Sequence, residues 1–148
     1  MLKNLLQNKT KVFYILLLLS LLVAIRAFEN RIFYDPLLTY FKRNYMQTPL
    51  PKLNVIKLFF SMGFRFYLNS IISIGLLKLL FDDSKVVKFS IFLYSVFGIL
   101  FMITFFFILL KFGETNKMNL FYIRRFIIQP ILLILFIPAF YYQKKISN

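Results

Sequence analysis

Four apolar runs, separated by charged connections, organise the chain. The first, 12–25, holds fourteen uncharged residues and reaches Phe28 if Arg26 snorkels. The second, 58–77, is twenty residues interrupted by Arg65. The third, 89–110, has twenty-two residues and no charge, and the fourth, 126–142, has seventeen with Gln129, Pro130 and Pro138 inside it. A helix needs about 20 residues to cross a hydrocarbon core of roughly 30 Å. The pattern therefore predicts an all-α, integral membrane protein with four transmembrane helices near 12–28, 58–77, 89–110 and 126–142. No run alternates apolar and polar residues as a membrane barrel strand would. Proline is tolerated in a membrane helix where neighbours satisfy the freed carbonyl, so Pro138 is expected to kink the fourth helix and not to end it.

The connections differ in kind. The first, 26–57, carries Glu29, Asp35, Pro36, Pro49 and Pro51. Within it Leu37, Leu38, Tyr40, Phe41 and Tyr45 mix with Lys42 and Arg43, the pattern of a short helix lying in the membrane interface. The segment 49–51 should be extended, because the residue before a proline is pushed out of the helical region. The second connection, 78–88, is a brief turn at Asp82-Asp83. The third, 111–125, is a polar loop. No internal repeat is present, and the whole of 1–148 reads as a single membrane domain.

Composition narrows the class. Sixty per cent of the 148 residues are apolar or aromatic and 16% are charged, where a soluble domain carries about 25% charge. Nineteen Lys and Arg against five Asp and Glu give a formal charge of +14. Such a balance often signals nucleic acid, but here the basic residues flank apolar runs, where they meet anionic lipid headgroups and help set orientation. The expected partner is thus membrane lipid and not nucleic acid. Lys3, Lys9 and Lys11 before the first run resemble the start of a signal peptide. Ile25-Arg26-Ala27 is a poor cleavage site, and an uncleaved signal anchor is expected. Four spans put both termini on one side. That side carries eight basic residues over 28 positions, and the other side carries ten over 47. The basic start of the first helix favours cytoplasmic termini.

Catalysis needs a nucleophile, a base and a group to orient them. The chain has neither Cys nor His, which removes the commonest nucleophile–base pairs and the usual zinc ligands. Ser84/Lys85 and Ser90/Lys88 lie too close in sequence to face each other on a helix, and Asp82-Asp83 alone is a poor metal site. No enzyme activity, metal or cofactor is expected. The informative residue is Arg65, since a charge at membrane depth costs about 2.5–3.5 kcal/mol on insertion scales. Ser61, Arg65, Asn69 and Ser73 recur every four residues and form one polar stripe. That stripe serves either helix packing, with Arg65 snorkelling upward, or the binding of a partner. Arg65 sits about eight residues, roughly 10–12 Å, below the start of its span. Arg26 and Glu29 close the first span on the same side, Asp35 follows them, and Arg124, Arg125 and Gln129 open the fourth. Six or seven polar groups should thus converge in one leaflet, with Glu29 and Asp35 as the carboxylates available to the arginines. The aromatics, twenty-one Phe and nine Tyr, read as lipid contacts and, at Tyr141-Tyr142, as an interfacial anchor.

Four segments carry a family resemblance. They are 28–37, with Phe33-Tyr34-Asp35-Pro36-Leu37; 64–69, Phe64-Arg65-Phe66-Tyr67-Leu68-Asn69; 121–130, with Arg124-Arg125-Phe126 and Gln129-Pro130; and 138–143. Together they resemble the exosortase F system-associated membrane proteins of Bacteroidota. The resemblance implies a small, multi-pass protein of the bacterial inner membrane that accompanies an exosortase, a polytopic enzyme that processes exported proteins bearing a C-terminal sorting signal. Exosortases resemble sortase-like transpeptidases with a Cys, an Arg and a His near the outer face. Lacking Cys and His, this chain resembles the companion and not the enzyme. The expected function is non-catalytic: Arg26, Glu29, Asp35, Arg65, Asn69, Arg124, Arg125 and Gln129 would bind the exosortase or its substrate's transmembrane segment. The rival class is a small oligomeric transporter or channel subunit, which a solute-flux assay in vesicles would reveal.

Overall fold

The computed structural model describes residues 7–146, so Lys3 and its place in the basic N-terminal count lie outside the described residues. In chain order the helices are α1 (Lys9–Ala27), α2 (Glu29–Ile32), α3 (Pro36–Phe41), α4 (Val55–Phe81), α5 (Ser84–Phe112), α6 (Lys117–Ile128) and α7 (Ile131–Ile146), with no strand among the described residues. The three long helices overrun their apolar cores because each starts on a side-chain cap. Asn8, Asn54 and Asp83 accept hydrogen bonds from the backbone N–H of Lys11, Lys57 and Lys85 at 3.3, 3.1 and 2.8 Å. Such caps satisfy N–H groups that the first turn leaves without a helical partner.

The turn between α4 and α5 needs only two residues. Asp82 takes a left-handed conformation (φ 50°) and its N–H donates to Lys78 O, which closes α4. Lys11 Nζ reaches the Asp82 carboxylate at 2.7 Å, which fixes the start of α1 beside the end of α4. That hydrogen bond holds the exposed Asp82 carboxyl below its usual range. Lys144 Nζ donates to Phe81 O at 2.8 Å and brings the end of α7 to the same place. At the opposite end of the bundle, Leu50 N donates to Glu114 Oε1 at 2.7 Å and Lys117 Nζ to Thr48 O at 2.6 Å.

α1, α4 and α5 are each long and apolar enough to cross a membrane; α6 and α7 pass that test only together, across a 64° bend. The expected unbroken fourth helix over 126–142 is therefore corrected: it is two helices. The break falls at Gln129-Pro130, not at Pro138, which sits inside α7 without ending it. The residues at the break favour it: Gln129 is extended (φ −110°, ψ 147°), the conformation preferred before proline, and Pro130 has no N–H to continue the ladder.

The short helix expected in the first connection is present as α3, beside a second, α2. Its apolar residues Leu37, Leu38, Tyr40 and Phe41 pack into the protein, which corrects the expectation that they face a membrane interface. Leu37, Tyr40 and Phe41 join Leu58, Met62, Phe105, Leu120 and Ile127 in one apolar core. A second core, around Leu22, Leu76, Leu77, Tyr94, Leu133 and Phe136, fills the other half of the bundle. The outer faces stay exposed: α1 buries only Leu22. Between α4 and α5 an apolar groove of about 930 Å³ opens outward past Gly63, Ser70, Ser95 and Gly98. Gly98 lets the Phe66 ring approach closely: a Cβ at that position would lie 2.4 Å from the ring, which would have to shift.

Candidate functional site

The polar stripe of α4 lies between the two apolar cores. Arg65 is only 1% exposed, so it does not snorkel to the surface. The segment that follows α1 delivers its partners: Glu29 opens α2, and Asp35 precedes α3. Arg65 Nη2 donates to Glu29 Oε2, and Arg65 Nη1 lies 3.7 Å from Asp35 Oδ2, within ion-pair range but beyond a hydrogen bond. Glu29 also accepts from Arg26 Nη1 at 2.6 Å. Asp35 accepts from Arg124 of α6 through Nη2 and, at 3.3 Å, through Nε. Arg65 therefore joins two carboxylates, each of which holds a second arginine. Its guanidinium also lies over the Phe33 ring at 5.4 Å, and Arg124 over Phe41 at 5.8 Å.

Asn69, one turn further along α4, completes the layer. Its Nδ2 donates to Ile128 O at 3.0 Å. That carbonyl ends α6 at the break, where no helical N–H continues the ladder, so the side chain supplies what the backbone cannot. The remaining two residues sit at the rim: Arg125 is exposed, and its Nε donates to Gln129 Oε1 at 3.0 Å.

All eight residues singled out in the sequence thus fall at one level, but in two environments. Glu29, Arg65, Asn69 and Arg124 are buried, as is the side chain of Asp35. They bond to one another and to backbone, and Arg65 Nε and Nη1 make no hydrogen bond among the described residues. Such an arrangement ties four elements together and offers little to an outside ligand. Arg26, Arg125 and Gln129 form its accessible edge. Residues that the sequence reading did not single out also take part. Phe33 and Phe41 give their ring faces to the arginines, which the Phe33–Asp35 and Leu37–Phe41 spacings contain but do not announce. The Ser–Lys neighbours are ordinary here: the Ser90 hydroxyl donates to Val86 O at 2.7 Å. Among the described residues, no three acidic side chains come together to hold a metal.

No family model, curated protein or solved structure matches the chain. The exosortase-associated resemblance therefore stands on the four sequence segments alone.

Proposed function

We propose that the protein is a non-catalytic accessory of the bacterial inner membrane that binds an exosortase or the transmembrane segment of an exosortase substrate. In this reading α6 and α7 make one broken span, the fourth. α6 begins beside Thr48, at one end of the bundle, and α7 ends against Phe81 at the other. Both termini are then cytoplasmic. Single cysteines at Thr48 and Asn116 would react with an impermeant thiol reagent from outside, and one at Ser84 would not; the reverse pattern inverts the orientation.

The observation that carries the binding reading is Arg125. It is exposed on the last turn of α6 beside the helix break, and among the described residues its side chain bonds only a neutral amide, Gln129. The two carboxylates of the layer are already committed to Arg26, Arg65 and Arg124. A guanidinium at this depth is costly without a counter-charge. A carboxylate on a partner helix would receive it in two parallel hydrogen bonds. The test is co-purification of the tagged protein with the neighbouring exosortase from native membranes. Recovery should fall about tenfold for Arg125→Gln, the loss of one charge-assisted pair, and stay unchanged for Lys88→Gln at the far end. No exosortase recovered with wild type would overturn the partnership, and full recovery with Arg125→Gln would remove Arg125 from it.

A further inference from the structure

A second polar site lies at the end of the bundle where α4 turns into α5. There the last turn of α7 passes over the start of α5 and leaves a cavity of about 410 Å³ lined by Lys85, Gln143 and Lys144 above Val86, Phe89 and Phe140. Lys85 and Lys144 belong to none of the ion pairs among the described residues. Lys144 donates one hydrogen bond, to Phe81 O; an ammonium has three donors, so two remain for a ligand. The one carboxylate in the lining, Asp83, caps α5 by accepting the Lys85 backbone N–H at Oδ1, and against it stand two ammonium groups, so the lining stays net positive. The surroundings are basic: among the described residues at this end, Lys9, Lys11, Lys78, Lys85, Lys88, Lys144 and Lys145 stand against two carboxylates, Asp82 and Asp83. An anion is therefore the ligand that the charge distribution favours.

The floor of the cavity says which anion. Phe89 and Phe140 meet edge to face at 6.0 Å, and Phe89 is half exposed on the side where the apolar surface of α5 begins. Tyr141 and Tyr142, both exposed, flank the same level as interfacial aromatics do. A ligand here has a charged head between two ammonium groups and an apolar body against phenyl rings. We propose that this cavity binds the phosphate of an anionic phospholipid headgroup, with an acyl chain descending along Phe89. The site lies at the Phe81 end of the bundle, away from the mid-bundle layer that holds Arg125, and does not depend on the partner reading above.

The test uses the full chain, delipidated in neutral detergent and incubated with phosphatidylglycerol or phosphatidylcholine of equal chain length. Retained lipid is counted after gel filtration. Phosphatidylglycerol should be retained in clear preference. Lys85→Gln should lower its retention about fivefold, the effect of one lysine near an anionic headgroup. Lys88→Gln and Lys145→Gln, which remove the same charge outside the cavity, should leave retention close to wild type. Lys85→Gln is the deciding variant, because Lys144→Gln also removes the bond to Phe81 O. Equal losses in all the lysine variants would reduce the site to a general basic surface and overturn the proposal. Equal retention of the two lipids would overturn it too. Full displacement by millimolar inorganic phosphate would assign the cavity to free phosphate and not to a lipid.

Discussion

Arg65→Leu removes the one cation that touches both buried carboxylates. Glu29 would keep Arg26 at 2.6 Å, and Asp35 would keep Arg124. Removing one member of a buried ion pair costs about 3–5 kcal/mol, because the charge left behind is uncompensated. The surviving arginines place the expected loss at the lower end, about 3 kcal/mol. Part of that loss is the Phe33 ring, whose contact with a cation is worth about 0.5–2 kcal/mol. Removing both charges is a different perturbation. Glu29→Leu with Arg65→Leu leaves Asp35 paired and Arg26, half exposed, free to reach water. That double variant should lose less than Arg65→Leu alone, since apolar replacement of a whole buried pair is often neutral. Arg65→Lys keeps the charge but not the fork that spans two carboxylates, so it should fall between wild type and leucine. The assay is equilibrium unfolding in mixed micelles of sodium dodecyl sulfate and a mild detergent, followed by helical circular dichroism, beside protein levels in the membrane. A loss below about 0.5 kcal/mol for Arg65→Leu, or a double variant as costly as the sum of the singles, would refute the brace.

Other consequences follow from the same contacts. Gly98→Ala should destabilise by about 1–3 kcal/mol through overpacking against Phe66, and Phe66→Leu in the same chain should recover most of it in the same unfolding assay. Asn69→Leu strands Ile128 O at the break and should cost about 1–3 kcal/mol, with faster amide exchange in the last turn of α6. The Leu50 N–H holds the Glu114 carboxyl below its ordinary 4.5. A folded value lowered in this way adds stability that is present above the unfolded value and is lost as pH falls through the folded one. The protection of Leu50 N–H in wild type over Glu114→Gln should therefore hold at neutral pH and vanish in acid.

Periodicity made the polar stripe of α4 readable before any coordinates, because residues four apart share a helix face whatever packs against it. The gathering of Arg26, Glu29 and Arg124 at its level follows from helix length and direction in the same way. What linear pattern could not supply was the state of those groups. Whether Arg65 snorkels or is enclosed depends on α2 and α3, whose apolar residues suit a membrane surface and a protein interior equally well. Leu37 and Phe41 chose the interior because α4, α5 and α6 leave a space there. The break at Pro130 was hidden for a related reason. Pro130 and Pro138 lie in similar apolar surroundings, but only at the first does a side chain from elsewhere, Asn69, 59 positions before Ile128, take up a carbonyl freed by the break. The long helices were underestimated because their limits are set by Asn8, Asn54 and Asp83, not by the last apolar residue.

The pairing of Glu29 with Arg65 and of Asp35 with Arg124 carries an order in time. Each carboxylate precedes its arginine along the chain, by 36 and by 89 positions. A ribosome makes the acidic residues first, while they can still rest in water beyond the end of α1. When α4 enters the bilayer, the arginine it brings meets a counter-charge already in place. Asp35 must wait until Arg124 emerges, 89 positions later, with only the longer contact to Arg65 in the meantime. A chain interrupted before α6 would thus display an incompletely neutralised acid at the membrane.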